Sequence, residues 1–284
     1  MRIEFLGSGG AITTPRPGCT CRICAEARAR GVPYSRSGPS VFVHGPNMLI
    51  DTPEESKFQL DRAGIAHVPA CLYSHWHPDH VAGLRVWETM NGDWLNWPPQ
   101  HRRSTVYLPQ QVAEDFHHRL GAWEQLMYLQ RLGVVEVIVL RDGETVARNG
   151  VTIRPFRVAQ DYVYAFLFEE GATRVLIAPD ELFGWAPPAE VRGVDLAVLP
   201  MGLPVFDPLS GARIISAEHP VLRAEATFEQ TLDMVRALDA RRVILTHIEE
   251  PVGLGHDDLE QVAARLQGEG LPVTFAYDTL VVEV

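Results

Sequence analysis

One short stretch, Ser74-His75-Trp76-His77-Pro78-Asp79-His80, restricts this chain more than any other. It follows the apolar run Val68-Pro69-Ala70-Cys71-Leu72-Tyr73, which reads as a buried strand. After it, Val81-Ala82-Gly83-Leu84-Arg85-Val86-Trp87 has the spacing of a helix start. Alternate residues of an extended chain point the same way, so His75 and His77 present both rings to one place. The tighter turn that follows carries Asp79 and His80 round to a neighbouring point. Two pairs of ligands a few ångströms apart are the layout of a two-metal hydrolytic centre.

The rest of the composition sets bounds around that centre. With 284 residues, 46% hydrophobic and 21% charged, the chain has the make-up of a globular protein with a substantial core. No apolar run approaches the roughly 18 residues of a membrane span. No basic region followed by an apolar stretch marks a secretory signal. The cysteines number only four, and the expectation is a cytoplasmic protein with reduced thiols. A formal net charge of −11 argues against a nucleic-acid partner, whose phosphates are neutralised by Lys and Arg. It leaves room for a small anionic ligand held by a local cationic centre.

Along the chain, Met1 to Leu6 alternates as an opening strand and leads into a glycine turn at Gly7-Ser8-Gly9-Gly10. Ser40–Val43 and Asn47–Asp51 read as a hairpin, Glu54–Ala63 as a helix closed by Gly64, and Ser104–Leu108 as a strand. Gln111–Leu132 reads as one helix, with His117 and His118 on a solvated face. Strands follow at 134–140, 151–157, 162–168, 174–177 and 194–199, and later at 242–245, 273–277 and 280–284. Phe228–Leu238 and Asp257–Leu266 are the late helices. Residues 88–103 hold Trp94 and Trp97 in a Pro- and Gly-interrupted loop, which fits a pocket mouth, a homodimer contact or a small satellite core. Strand–helix alternation runs once in each half. The architecture expected is α/β: an αββα sandwich of two face-to-face sheets with helices outside, as one domain over 1–284.

Cys19-Thr20-Cys21-Arg22-Ile23-Cys24 is a C-x-C-x-x-C cluster inside an insertion over about 15–35. Three thiols at this spacing can wrap one soft cation, and a structural zinc needs a fourth ligand to close a tetrahedron.

His75-Trp76-His77-Pro78-Asp79-His80 resembles the H-x-H-x-D-H signature of the metallo-β-lactamase-fold hydrolases. Phe5–Gly10, Leu49-Ile50-Asp51-Thr52, Ile177-Ala178-Pro179-Asp180 and Val243-Ile244-Leu245-Thr246-His247 also fall where that superfamily has them. The Cys insertion is similar to that of the phosphoribosyl cyclic phosphodiesterase branch. The resemblance implies that His75 and His77 share one metal, that Asp79, His80 and His247 take another, and that Asp180 bridges both. It implies that Asp51 supports the ligands from behind. It also implies a late fourth ligand for the Cys zinc, in whose register Glu225 stands; His219 is the alternative on chemical grounds.

Two family residues have no counterpart. The third His of the first metal should lie upstream of Asp180, where this chain reads Arg157-Val158-Ala159-Gln160-Asp161-Tyr162. Asp161 is the candidate replacement, and a carboxylate there tilts preference from zinc toward manganese or iron. The family's general-acid His falls near Leu203, leaving His219, His256 or a water as proton donors. The expected function is metal-dependent hydrolysis of a small cyclic or nucleotide-like phosphate ester, with Asp79 and Asp180 positioning the attacking water. The alternatives are a fold-retaining binding protein with an incomplete centre, or a mononuclear iron redox enzyme related to quinone-cofactor biosynthesis.

Overall fold

The computed structural model describes residues 1–284. The first sheet takes β1 (Arg2–Gly7), β2 (Ser40–Val43), β3 (Met48–Ile50), β4 (Ala70–Leu72), β5 (Ser104–Pro109) and β6 (Val135–Leu140). The second takes β7 (Val146–Arg148), β8 (Val151–Arg157), β9 (Tyr164–Glu170), β10 (Thr173–Ile177), β11 (Leu196–Pro200), β12 (Val243–Thr246) and β13 (Val273–Phe275). The last strand, β14 (Val281–Glu283), returns to the first sheet beside β1.

The two sheets run β14-β1-β2-β3-β4-β5-β6 and β13-β12-β11-β10-β9-β8-β7. Strands β3 to β6 are parallel, as are β10 to β13. The inner parallel strands β4 and β11 are covered on both faces and buried at every residue, whereas the parallel edge strand β6 is partly exposed. The antiparallel β8 alternates instead, with Val151, Ile153 and Pro155 inward and Thr152 exposed. Between the sheets, Phe5, Ile50 and Leu72 meet Phe166, Phe168, Ile177 and Val198. The outer face of the second sheet is covered by the helices Phe228–Leu238 and His256–Gly268, through Met234, Val235, Val262 and Leu266. The expected αββα sandwich is therefore the observed one.

Two local readings need correction. The expected helix over 111–132 is two helices, Gln110–His118 and Ala122–Leu132. Leu120 and Gly121, both left-handed (φ 57° and 64°), break the i→i−4 ladder between them. A helix, Val86–Asn91, also occupies the start of the segment taken as loop. It buries Trp87 fully, and the indole Nε1 donates to Tyr73 Oη at 3.1 Å. Trp94 and Trp97 stay exposed.

Candidate metal centre

The C-terminal ends of parallel strands are where open α/β sheets collect ligands, and every residue of the centre sits just beyond such an end. Asp51 follows β3, Ser74 to His80 follow β4, Asp180 follows β10 and His247 follows β12. After β4 the chain turns into the short helix Pro78–Val81, with Pro at its first turn. Thr52 pins that turn: its N–H donates to His80 O at 2.8 Å, and its carbonyl accepts from Gly83 N at 2.9 Å. A Cβ at Gly83 would lie 2.0 Å from Pro53 O, so the crossing requires glycine.

The side chains converge as two groups. His75, His77 and Asp180 form one, and Asp79, His80 and His247 the other; within each, the ligand atoms lie within 4.8 Å of one another. Asp180 faces both. Its Oδ2 is 3.2 Å from His75 Nε2 and 3.6 Å from His80 Nε2, while its Oδ1 is 3.4 Å from His247 Nε2. Asp79 Oδ2 stands 3.3 Å from His80 Nε2 and 3.4 Å from His247 Nε2.

Asp51 aims the rings. Its carboxylate accepts from Ser74 N at 2.7 Å and Ser74 Oγ at 2.6 Å. It also faces His80 Nδ1 at 2.8 Å, and Ser74 Oγ meets His75 Nδ1 at 3.0 Å. These contacts assign the N–H of both rings to Nδ1 and leave the Nε2 lone pairs toward the centre. Asp51 holds φ 60° and His247 φ 54°, left-handed values that non-glycine residues keep where the surroundings fix them. The glycine turn after β1 makes room for the ring, since a Cβ at Gly10 would lie 2.6 Å from His247 Nδ1.

The donor set fits divalent metal. Nε2 of His75, His80 and His247 are all buried without a hydrogen-bond partner, a condition that costs free energy unless a ligand completes it. Burial pushes the Asp180 carboxyl up, but the charge of His247 and the nearness of His75 and His80 outweigh it and hold the group well below the carboxylate range. Burial also opposes charge on His247, yet Asp180 and Asp79 raise it to about 9. His77 moves the other way, lowered to about 4 by burial and then by His75.

Asp161 does not join His75 and His77. It is exposed, on a tight turn closed by Val163 N donating to Gln160 O at 3.1 Å and Val158 N to Val163 O at 3.0 Å. That turn brings Tyr162 in instead, its ring 5.5 Å from that of His77. His256 opens the helix His256–Gly268 and packs edge-on between Tyr34 and Tyr277. His219 lines a cleft next to the centre, together with Glu225 and Glu249.

The three cysteines converge on a fourth group that the sequence reading missed. Sγ of Cys19, Cys21 and Cys24 lie 3.1, 3.2 and 3.2 Å from Glu250 Oε1, and Arg16 Nε lies 3.5 Å from Glu250 Oε2. Neither His219 nor Glu225 belongs to this cluster. The chain after His247 returns over the Cys loop: Ile248 N donates to Ser8 O and Glu250 N to Ile12 O, both at 2.9 Å. The available signal was Glu250 itself, three residues beyond His247 and thus delivered by the same strand end. Burial pushes the Cys24 thiol up to about 12.

Comparison with known proteins agrees with this architecture. A curated octanoyltransferase of Porphyromonas gingivalis is 24% identical over 263 residues, covering 92% of this chain and 48% of that protein. The chain thus spans about half the length of that relative. Among solved structures, a diphosphatase from the PhnP family superposes with a TM-score of 0.70 at 23% identity, over 100% of this chain and 97% of the other. Zn(2+)-bound PqqB from Methylobacterium extorquens gives 0.70 at 17% identity, over 100% of both chains. The short form of human tRNase Z gives 0.62 at 16%, over 100% and 99%. The family model described as the beta-lactamase superfamily domain matches residues 45–248, from the first hairpin through the last centre histidine, and the chain belongs to that superfamily.

Proposed function

We propose that this chain is a metal-dependent phosphodiesterase acting on a small cyclic or nucleotide-like phosphate ester. The observation that carries the proposal is the pair of His/Asp groups sharing Asp180, with three buried Nε2 atoms left for a cation. The diphosphatase and the tRNase among the structural relatives direct the choice of substrate class.

His75, His77 and Asp180 would hold one divalent metal, and Asp79, His80, His247 and Asp180 a second. Such metals supply a water whose pKa falls toward roughly 7 and neutralise charge on phosphoryl oxygens. Asp51 and Ser74 keep His75 and His80 in the tautomer that presents Nε2. Asp180 spans the two groups and fixes their separation. Asp79, kept ionised by His80 and His247 in spite of burial, accepts a hydrogen bond from the attacking water and aims it. His219 is the candidate proton donor to the leaving alkoxide, since its ring lines the adjoining cleft and that of His256 lines neither cleft beside the centre.

One observation favours a one-metal form as a second reading: the His75 group holds three protein ligands, with Tyr162 at the expected place of a third imidazole. Metal analysis of the chain and of His80→Ala, with hydrolysis of bis-para-nitrophenyl phosphate, tests the proposal. Loss of metal and turnover together in His80→Ala is the expected result. Unchanged metal content in that variant overturns it.

A further inference from the structure

We propose that the substrate carries a positively charged arm on the His247 side of the centre, an ammonium-bearing ester rather than a polyphosphate or polynucleotide. This deepens the phosphodiesterase reading and rests on it for the reacting phosphoryl group. A narrow cleft of about 40 Å³ opens from the centre, with Asp180 and His247 in its floor and Glu181, Glu225 and Glu249 in its walls. A second cleft of about 490 Å³ shares Leu203, Glu225, Glu249 and Val252 with it and continues over Ile214 and Ile215. No Lys or Arg lines either one.

Glu181 is held by the protein, accepting from Phe183 N and Ala226 N, but the other two carboxylates are not. Glu225 forms no ion pair and its side chain no hydrogen bond, while Glu249 accepts only from Ala11 N, at 3.2 Å through Oε1. Gly10 lies so close that a Cβ there would be 2.9 Å from Glu249 Cγ, so this side chain is fixed over the centre. The unpartnered Nε2 of His247, on a side chain 10% exposed, marks where the reacting end of a ligand sits. The opposite flank carries Arg119, whose Nε pairs with Asp115 Oδ1 at 3.5 Å. Arg119 lies 4.2 Å above the Trp76 ring, which packs 4.6 Å from His77.

A phosphoryl group at the centre therefore has an Arg–Asp pair on one flank and the free carboxylates of Glu225 and Glu249 on the other. Like charge juxtaposed without a counter-ion is the repulsive element by which sites reject wrong partners. An arm bearing a further phosphate meets Glu225 and Glu249 at the mouth and is repelled. An ammonium arm is attracted, and its carbon body lies on the Leu203, Ile214 and Ile215 wall.

The test compares phosphocholine with its uncharged-arm isostere, 3,3-dimethylbutyl phosphate, by calorimetric titration of the metal-loaded full chain. Phosphocholine is expected to bind about tenfold more tightly, a difference of about 1.4 kcal/mol, and the ratio should shrink to about twofold or less in the Glu225→Gln/Glu249→Gln double variant. Equal binding by the wild type overturns the inference. So does a ratio that survives in a double variant whose melting curve matches the wild type. Hydrolysis of para-nitrophenyl phosphorylcholine and bis-para-nitrophenyl phosphate separates the two claims. Turnover of the second with no binding ratio retains the phosphodiesterase and removes the charged arm; a binding ratio with no turnover of either does the reverse.

Discussion

Replacing Asp51 with Asn changes one atom behind the metal centre and reverses a hydrogen-bond polarity. The native carboxylate accepts from Ser74 N and Ser74 Oγ and from His80 Nδ1, at 2.7, 2.6 and 2.8 Å. An amide offers one acceptor and one NH2. If its oxygen keeps Ser74 N, the NH2 faces His80 Nδ1 and drives the ring proton to Nε2, where it blocks ligation. If the amide turns over, two donors oppose each other at Ser74 N in a fully buried site. Outer partners of metal-bound histidines are typically worth 10–100-fold in affinity, so Asp51→Asn should cost about 1.4–2.8 kcal/mol of metal binding. Asp51→Ala should do more to the fold, because Ser74 N–H and His80 Nδ1–H are then both buried unpaired at about 1–3 kcal/mol each. Chelator competition measures the first quantity, and urea unfolding of metal-stripped protein the second. Wild-type metal affinity in Asp51→Asn, with the fold intact, would refute the claim that Asp51 sets the His80 tautomer.

Further expectations concern the other parts of the centre. Gly10→Ala puts a Cβ 2.6 Å from His247 Nδ1; displacing that ring should lower turnover by about 10²-fold, seen in steady-state rates with normal expression. Cys24→Ser and Glu250→Gln should each release about one zinc and lower the melting temperature, because binding there is coupled to folding; full zinc occupancy in Glu250→Gln would exclude it as a ligand. Asp161→Ala should leave metal content unchanged and stability within about 0.5 kcal/mol, and loss of a metal equivalent would show that the turn closes onto the centre in solution. Burial raises the Glu181 carboxyl from 4.5 to about 7. The folded chain then binds a proton the unfolded chain has released, so metal-stripped protein should lose stability as pH rises from about 4.5 through 7. Urea midpoints across that range should flatten in Glu181→Gln.

The sequence by itself carried the motif from His75 to His80, the strand-end acids Asp51 and Asp180, and the αββα order. Each is written locally: a ligand follows directly on an apolar run, so the strand that buries the run also delivers the residue to the sheet's edge. Tertiary structure decided what local pattern does not contain. Glu250, rather than His219 or Glu225, faces the three cysteines because hydrogen bonds from Ile248 to Ser8 and from Glu250 to Ile12 lay the segment after β12 over the Cys loop. No sequence spacing fixes a contact between segments 226 residues apart, such as Cys24 and Glu250. Asp161 has the chemistry of a ligand, but the turn Gln160–Val163 faces it to solvent and substitutes the ring of Tyr162. The carboxylate-walled cleft is the plainest case. Glu181, Glu225 and Glu249 stand apart in the chain and become one field only when the ends of β10 and β12 and the turn before the helix Phe228–Leu238 share a wall, since charge acts through space and not along sequence.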